Sequence, residues 1–328
     1  MFSIDAEARD GIQILWLTDA ASGSRAGVLP AVGATLWSLA LQTVGEASNC
    51  DELLAGDPLS QINDNPWFRG RILFPFNDRI PEGRYRFGDR TYQLAINDRE
   101  SGDAIHGMVH NQPFQVVDSQ VDPDFARVVL RFGFDEGRFP GYPFAAELDV
   151  GYTLTRDRLE IAFTARNSGG RVCPVAVGMH PYVRTQPAVD AAALRCPSEA
   201  WVEVDERLLP TGALPATTGT PFDFEAFRSL SHRELDIGLL RGYAAERSQT
   251  AAAVTEVRRQ TDTVVIEQDA RGFPYTQLFI PPDRGSIAVE PITAATNSFN
   301  DGRLGLRVLA PGEEFEARYA VSRRANRE

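Results

Sequence analysis

Lysine is absent from this 328-residue chain, so all 33 basic residues are arginine. Without it there is no Schiff-base amine, no internal aldimine for pyridoxal phosphate and no phosphate-cradling G-x-x-x-x-G-K-[ST] loop. Cysteine is scarce as well. Cys50, Cys173 and Cys196 are odd in number and share no short spacing, which argues against a disulfide framework or a Cys-rich zinc site. No apolar run reaches the roughly 18 residues of a membrane span, and Met1 to Glu7 lacks the basic start of a secretory leader. The expected location is therefore the cytoplasm, with no membrane partner. Positive charge is also in deficit. With 45 acidic residues and a net charge of −12, nucleic acid is not an expected partner, because its backbone calls for a basic surface. Small neutral or cationic molecules suit this balance better.

What the chain has in abundance is alternation of apolar and polar residues. Val128, Leu130, Phe132 and Phe134 recur at every second position, as do Leu148, Val150, Tyr152 and Leu154, and then Leu159, Ile161, Phe163 and Ala165. Period two over many short segments predicts half-buried antiparallel strands. The last two runs are joined by Thr155 to Arg158, a spacing that suits a hairpin. Further strands are expected at 12–17, 85–87, 91–96, 114–119, 172–178, 264–269, 276–280, 287–290 and 315–321. Helical periodicity is confined to 52–61 and 225–230. The Pro-, Gly- and Thr-rich stretch 209–221 is flanked by strand-like segments and reads as a long loop inside a domain rather than a linker. So many strands need two stacked sheets or a closed barrel, and residues 1–328 are expected to form a single all-β domain.

Four histidines are present, and two of them stand beside apolar, strand-like runs. His106 lies in Ala-Ile-His-Gly-Met, where Gly107 permits a close approach or an unusual turn. His180 lies in Val-Gly-Met-His-Pro-Tyr, where Pro181 holds the histidine backbone extended. Either is equally at home as a core histidine bonded to a carbonyl. Glu290 is harder to explain as a bystander. Its neighbours Ile287, Ala288, Val289, Pro291 and Ile292 are apolar, and a carboxyl is costly to bury without a partner. Buried, it would have a raised pKa of use to a general base. Arg79 ends an apolar run, while Gln277 and Asp236 sit in other strand-like stretches. His106 and His110 are four apart, but Gly107 weakens a helix and the glutamate of H-E-x-x-H is missing, so a zinc-protease reading is poor.

Several of these residues sit in segments that together resemble the aldose 1-epimerase (galactose mutarotase) family. The matching pieces are Leu73 to Ile80 with Gly83 and Tyr85, Ile105-His106-Gly107, Gly178 to Tyr182, Leu209 to Gly212, Thr220 to Phe224, and Val289 to Thr293. They run in the family's order and cover most of the chain. The resemblance implies a large antiparallel β-sandwich of the galactose mutarotase-like supersandwich type, acting as a monomer or homodimer. It also implies a cofactor-free, metal-free interconversion of the α and β anomers of a free aldose in hexose metabolism. By the same resemblance Glu290 is the general base, His180 the general acid and His106 an assistant to ring opening, with His180 charged and Glu290 ionised in the free enzyme. Arg79, Asp236, Gln277 and Asp78 fall at sugar-contacting positions. Asp78 departs from the usual Asn, and Asp236 is followed by Ile237-Gly238 instead of His and an aromatic residue, so the preferred sugar and its phosphorylation state stay open. Two other readings remain. One is a carbohydrate-binding protein of the same fold without turnover, and the other is a metal-dependent β-barrel isomerase with His106, His180 and Glu290 as ligands.

Overall fold

The three most regular alternations become neighbouring strands. Ala126–Phe134, Ala146–Leu154 and Arg158–Asn167 pair antiparallel, with Leu148, Val150, Tyr152, Leu154, Leu159, Ile161 and Phe163 sealed from solvent on one face. Each large apolar side chain so buried contributes about 1.5–3 kcal/mol relative to exposure. The turn joining the last two closes with the Thr155 N–H donating to the Arg158 carbonyl at 2.9 Å. In the computed structural model, which describes residues 1–43, 50–64, 67–241 and 252–326, this trio sits inside a nine-stranded sheet. Gln115–Val121 extends it on one side. Glu314–Ala325, Asp262–Asp269, Ala252–Arg258, Ala193–Arg195 and Arg228–Ser229 extend it on the other.

A second sheet runs Ala200–Trp201, Asp236–Leu240, Tyr275–Phe279, Ser286–Ile292, Gly178–Met179 and Ile72–Leu73, with Tyr182–Arg184 also paired to Ser286–Ile292. A third, of four strands, spans Phe2–Arg9 to Thr35–Ala40. One cluster of buried apolar side chains joins all three sheets, from Leu17 and Val28 through Leu148 and Phe163 to Met179 and Val289. Two buried tyrosines bridge them. Tyr319 directs its hydroxyl at Met179 Sδ at 2.8 Å, and Tyr152 donates to the Ala34 carbonyl at 2.7 Å. The result is a large antiparallel β-sandwich.

The two expected helices do not form. Of 52–61 only Leu59–Gln61 makes a 3-10 turn. Glu52 instead bridges to Ala40, and its carboxylate accepts from Ser38 Oγ at 2.7 Å and the Leu39 N–H at 2.6 Å. In 225–230, Arg228–Ser229 pairs with Ala193–Leu194 as a sheet edge. Tertiary strand pairing overrides a weak local helical pattern in both places. The stretch 209–221 is a loop that folds back, with the Thr211 and Thr217 N–H groups donating to the Glu203 and Glu199 carbonyls. Strands that had not been expected include Arg25–Leu29 and Asp236–Leu240, whose mostly buried patterns lack the polar face that makes period two visible. No helix among the described residues is long and apolar enough to cross a membrane.

Truncating Phe163→Ala should cost about 3–5 kcal/mol in urea denaturation, against under about 0.5 kcal/mol for Thr164→Ala on the opposite face of the strand.

Candidate active site

The strand Ser286–Ile292 is buried at every position, so Glu290 has no route to bulk water along it. Its carboxyl meets the His180 imidazole, Nε2 to Oε1 at 3.4 Å. His180 reaches that point because its backbone is pinned on both sides, its N–H donating to the Arg71 carbonyl and its carbonyl accepting from Gly70. The ring is then held flat against Tyr182, at 4.9 Å between centroids and 6° between planes, and the Arg69 guanidinium lies 4.5 Å over the far face of that stack. Asp57, Asp283 and Ser286 hold Arg69 in turn.

His106 arrives from a different chain segment through strained backbone. It adopts φ +60°, a left-handed conformation costing a residue with a Cβ about 1–2 kcal/mol, and Gly107 follows at φ +76°. The reason is contact with Phe74: a Cβ at Gly107 would lie 2.2 Å from the Phe74 carbonyl oxygen. His106 Nδ1 sits 3.1 Å from the Asn77 carbonyl, and because a carbonyl only accepts, Nδ1 carries the proton. Nε2 is thereby left as an acceptor. The His106 ring stands edge-on to His180, with centroids 5.1 Å apart, and Phe68 closes its other side at 4.6 Å. His110 faces Phe68 and does not line the cavity.

All seven candidates named from the sequence line one cavity of about 680 Å³: Glu290, His180, His106, Arg79, Asp236, Gln277 and Asp78. Strand register explains part of this. Gln277 lies opposite Glu290 and Gly238 opposite Gln277, while the Gln277 amide donates to Asp236 Oδ1 at 2.7 Å. Arg79 Nη1 is fastened by Asp98 at 3.1 Å, Asp103 at 3.0 Å and Ser101 Oγ at 2.7 Å. Asp78 Oδ1 accepts from the Arg79 N–H at 2.6 Å, a bond that an aspartate makes without needing the amide of an asparagine.

Burial and like charge set the proton inventory. Desolvation, with Asp78 and Asp236 nearby, pushes Glu290 well above the usual carboxylate range. Asp236 rises to about 6, first through burial and then through Asp78. Burial drives His106 down to about 4 and His180 well below the ordinary imidazole value, with His106 adding to the effect at His180. Burial thus disfavours the charged form of both groups, whereas the resemblance implies a charged pair. The charged and uncharged forms of the pair hold the same number of protons. Among the described residues no group of three or more His, Cys, Asp or Glu is arranged to hold a metal ion.

The profile of the family described as aldose 1-epimerase matches residues 17–322. The chain belongs to the aldose 1-epimerase family. It is similar to the uncharacterized protein YihR of Escherichia coli K12, with 25% identity over 252 residues covering 74% of this chain and 75% of that one. The galactose mutarotase of Mus musculus is 28% identical over 166 residues, an alignment spanning 49% of this chain and 46% of that protein. The crystal structure of a galactose mutarotase-like protein from Clostridium acetobutylicum superposes with a TM-score of 0.84 at 20% identity over 99% of both chains, which establishes the common fold.

Trp67, Phe68 and Phe279 also line the cavity and were not singled out from the sequence, and Tyr182 was named only as the end of the Gly178 to Tyr182 segment. Phe279 was within reach, since it follows Gln277 by two positions and so shares its face. Tyr182 stands likewise two positions after His180, whereas nothing local marks Trp67. A carboxyl whose folded pKa lies above its unfolded value loses stability as pH rises through the interval between them. Glu290→Gln should therefore stabilise the fold by about 0.5–2 kcal/mol, with the gain in Tm over wild type growing from pH 5 to pH 8. A gain that shrinks over that range would contradict the direction of the shift.

Proposed function

We propose that the protein interconverts the α and β anomers of a free aldose such as glucose or galactose, by general acid–base ring opening with no cofactor. The observation that carries this reading is the buried His180–Glu290 contact at 3.4 Å, within a cavity lined by side chains suited to sugar hydroxyls. In the reactive form Glu290 is the carboxylate and His180 the imidazolium. Glu290 removes the proton of the anomeric hydroxyl, the C1–O1 bond becomes a carbonyl, and the C1–ring-oxygen bond breaks. The electron pair goes to the ring oxygen, which takes the proton of His180. Rotation about C1–C2 presents the other carbonyl face, and the same two transfers run in reverse, so no proton is gained or lost overall.

Burial disfavours the charged form of both groups, and the sugar supplies what offsets it. A hydroxyl donating to Glu290 favours the carboxylate, and a ring oxygen accepting from His180 favours the imidazolium. His106, with its proton committed to Asn77, accepts from a sugar hydroxyl and positions the ring. This refines the assisting role implied by the resemblance. The cavity walls also bear on the substrate. Arg79 is the single Arg among the described lining residues and is already held by Asp98 and Asp103, whereas Asp64, Asp78, Asp98, Glu100, Asp236 and Glu290 all face the space. An uncharged sugar fits this wall better than a phosphorylated one.

Polarimetry of fresh α-glucose and α-galactose, with a panel of other aldoses, tests the reading: equilibrium is reached faster with protein, and the effect is lost if none responds. Glu290→Gln and His180→Asn should each lower kcat about 10²–10⁴-fold. Glucose 6-phosphate should be turned over at least about tenfold less efficiently than glucose, and an equal or higher kcat/KM would reject the neutral-sugar assignment.

A further inference from the structure

The strand that carries Glu290 also carries Ser286 and Ala288, and alternation puts all three on one face. Each has a separate connection to the proposed proton donor. Glu290 meets His180 directly, Ala288 is the cross-strand neighbour of Tyr182, and the Ser286 hydroxyl accepts from Arg69 Nη1 at 2.9 Å. Four residues of strand set the two outer contacts about 13 Å apart. The stack of His180, Tyr182 and Arg69 runs between them, with 4.9 Å between the two rings and 4.5 Å from the Tyr182 ring to the guanidinium. One strand therefore braces both ends of the stack, with the carboxyl at one end and the serine at the other.

Arg69 is held more firmly than covering a ring requires. It is 7% exposed, and all three of its side-chain nitrogens have partners: Nε faces Asp57 at 3.3 Å, Nη1 the Ser286 hydroxyl, and Nη2 Asp283 at 2.9 Å. The Asp57 segment is itself fastened to the stack, because the Ala55 N–H donates to the Tyr182 carbonyl at 2.9 Å. Arg69 does not line the cavity, so it makes no sugar contact. Its positive charge still stands only one aromatic ring behind the imidazole. The other charged or titratable groups around His180 are Glu290 and His106, with Asp57 and Asp283 beyond Arg69, and Asp78 and Asp236 acting on Glu290. Burial opposes charge on His180 most strongly, followed by His106 and then Arg69.

We infer that Arg69 is a positioning residue for the proposed proton transfer, acting through Tyr182 to hold the His180 ring against Glu290. Its fixed charge has a second consequence, in that it favours release of the proton from His180 to the sugar ring oxygen. The inference rests on the proposed anomer interconversion, and its spectroscopic arm stands apart from that reaction.

Mutarotation of glucose measured against pH in wild type, Arg69→Met and Arg69→Lys tests it. Arg69→Met should lower kcat at least about tenfold with KM within about twofold, because the ring loses its brace while no sugar contact is removed. Loss of a positive charge favours the protonated forms of His180 and Glu290, so both limbs of the pH profile should move up by roughly 0.5–1 unit. Arg69→Lys keeps the charge without the three-way anchor, so its limbs should stay at the wild-type positions and its kcat should fall between those of the other two proteins. Asp283→Asn, at the exposed end, removes a negative charge and should move both limbs down, which decides the matter if Arg69→Met does not fold. Limbs that stay fixed or move the opposite way in these variants overturn the inference. A KM that rises while kcat is unchanged in Arg69→Met overturns it too, since that marks a sugar contact.

With four histidines in the chain, the His180 ring can be assigned in a proton–carbon NMR spectrum by its loss in His180→Asn. Without any sugar, Arg69→Met should displace this signal and raise its titration midpoint. If the signal responds so and no aldose is turned over by wild type, the hold on His180 stands and the reaction falls. If glucose is turned over and Arg69→Met leaves the signal, the limbs and kcat unchanged, the reaction stands and the role of Arg69 falls.

Discussion

Holding the Glu290 carboxyl out of water is the constraint on which the rest of the site depends. The residue sits on a strand buried along its whole length, so it must find its partner inside the protein. His180 supplies that partner, but an imidazole at 3.4 Å is useful only if its ring cannot turn away. Tyr182 fixes the plane of the ring, Arg69 covers Tyr182, and Asp57, Asp283 and Ser286 anchor Arg69. The orientation of one proposed proton donor thus relies on a succession of contacts ending near the surface.

Two further carboxyls, Asp78 and Asp236, raise the cost at Glu290. A core selected for stability alone would not gather three acids around one cavity. In the proposed proton-transfer site the arrangement has a use. Burial raises the Glu290 carboxyl and lowers the His180 imidazole, so both resist carrying charge until a polar group is brought to them. His106 shows the same economy of design in its backbone. Its left-handed conformation is strained, and it persists because Gly107 lets the segment press against Phe74 while Asn77 holds Nδ1.

The strands at 126–134, 146–154 and 158–167 were legible because each has one face in the core and one in solvent, and burial sorts their side chains into alternating sets. Arg25–Leu29 and Asp236–Leu240 were not, because they are buried on both faces or interrupted by glycine. The expected helix at 52–61 failed for a related reason: Glu52 is committed to Ser38 and Leu39, partners distant in sequence. Within the site, Glu290 stood out as an acid in an apolar run, whereas His106 and His180 gained meaning only alongside the other family segments. Trp67 carried no local signal, since its ring partner Phe279 lies far along the chain.

By itself the sequence determined the all-β class, through period-two burial, and pointed to seven residues that prove to share one cavity, five of them through ordered family segments. It also excluded lysine chemistry outright. The tertiary structure decided what those residues are like once assembled. Protonation, tautomer and cavity shape depend on desolvation and on distances between groups brought together from separate strands. Composition and spacing hold no information about those distances, and so the buried His180–Glu290 contact and the acceptor face of His106 became visible only in the fold.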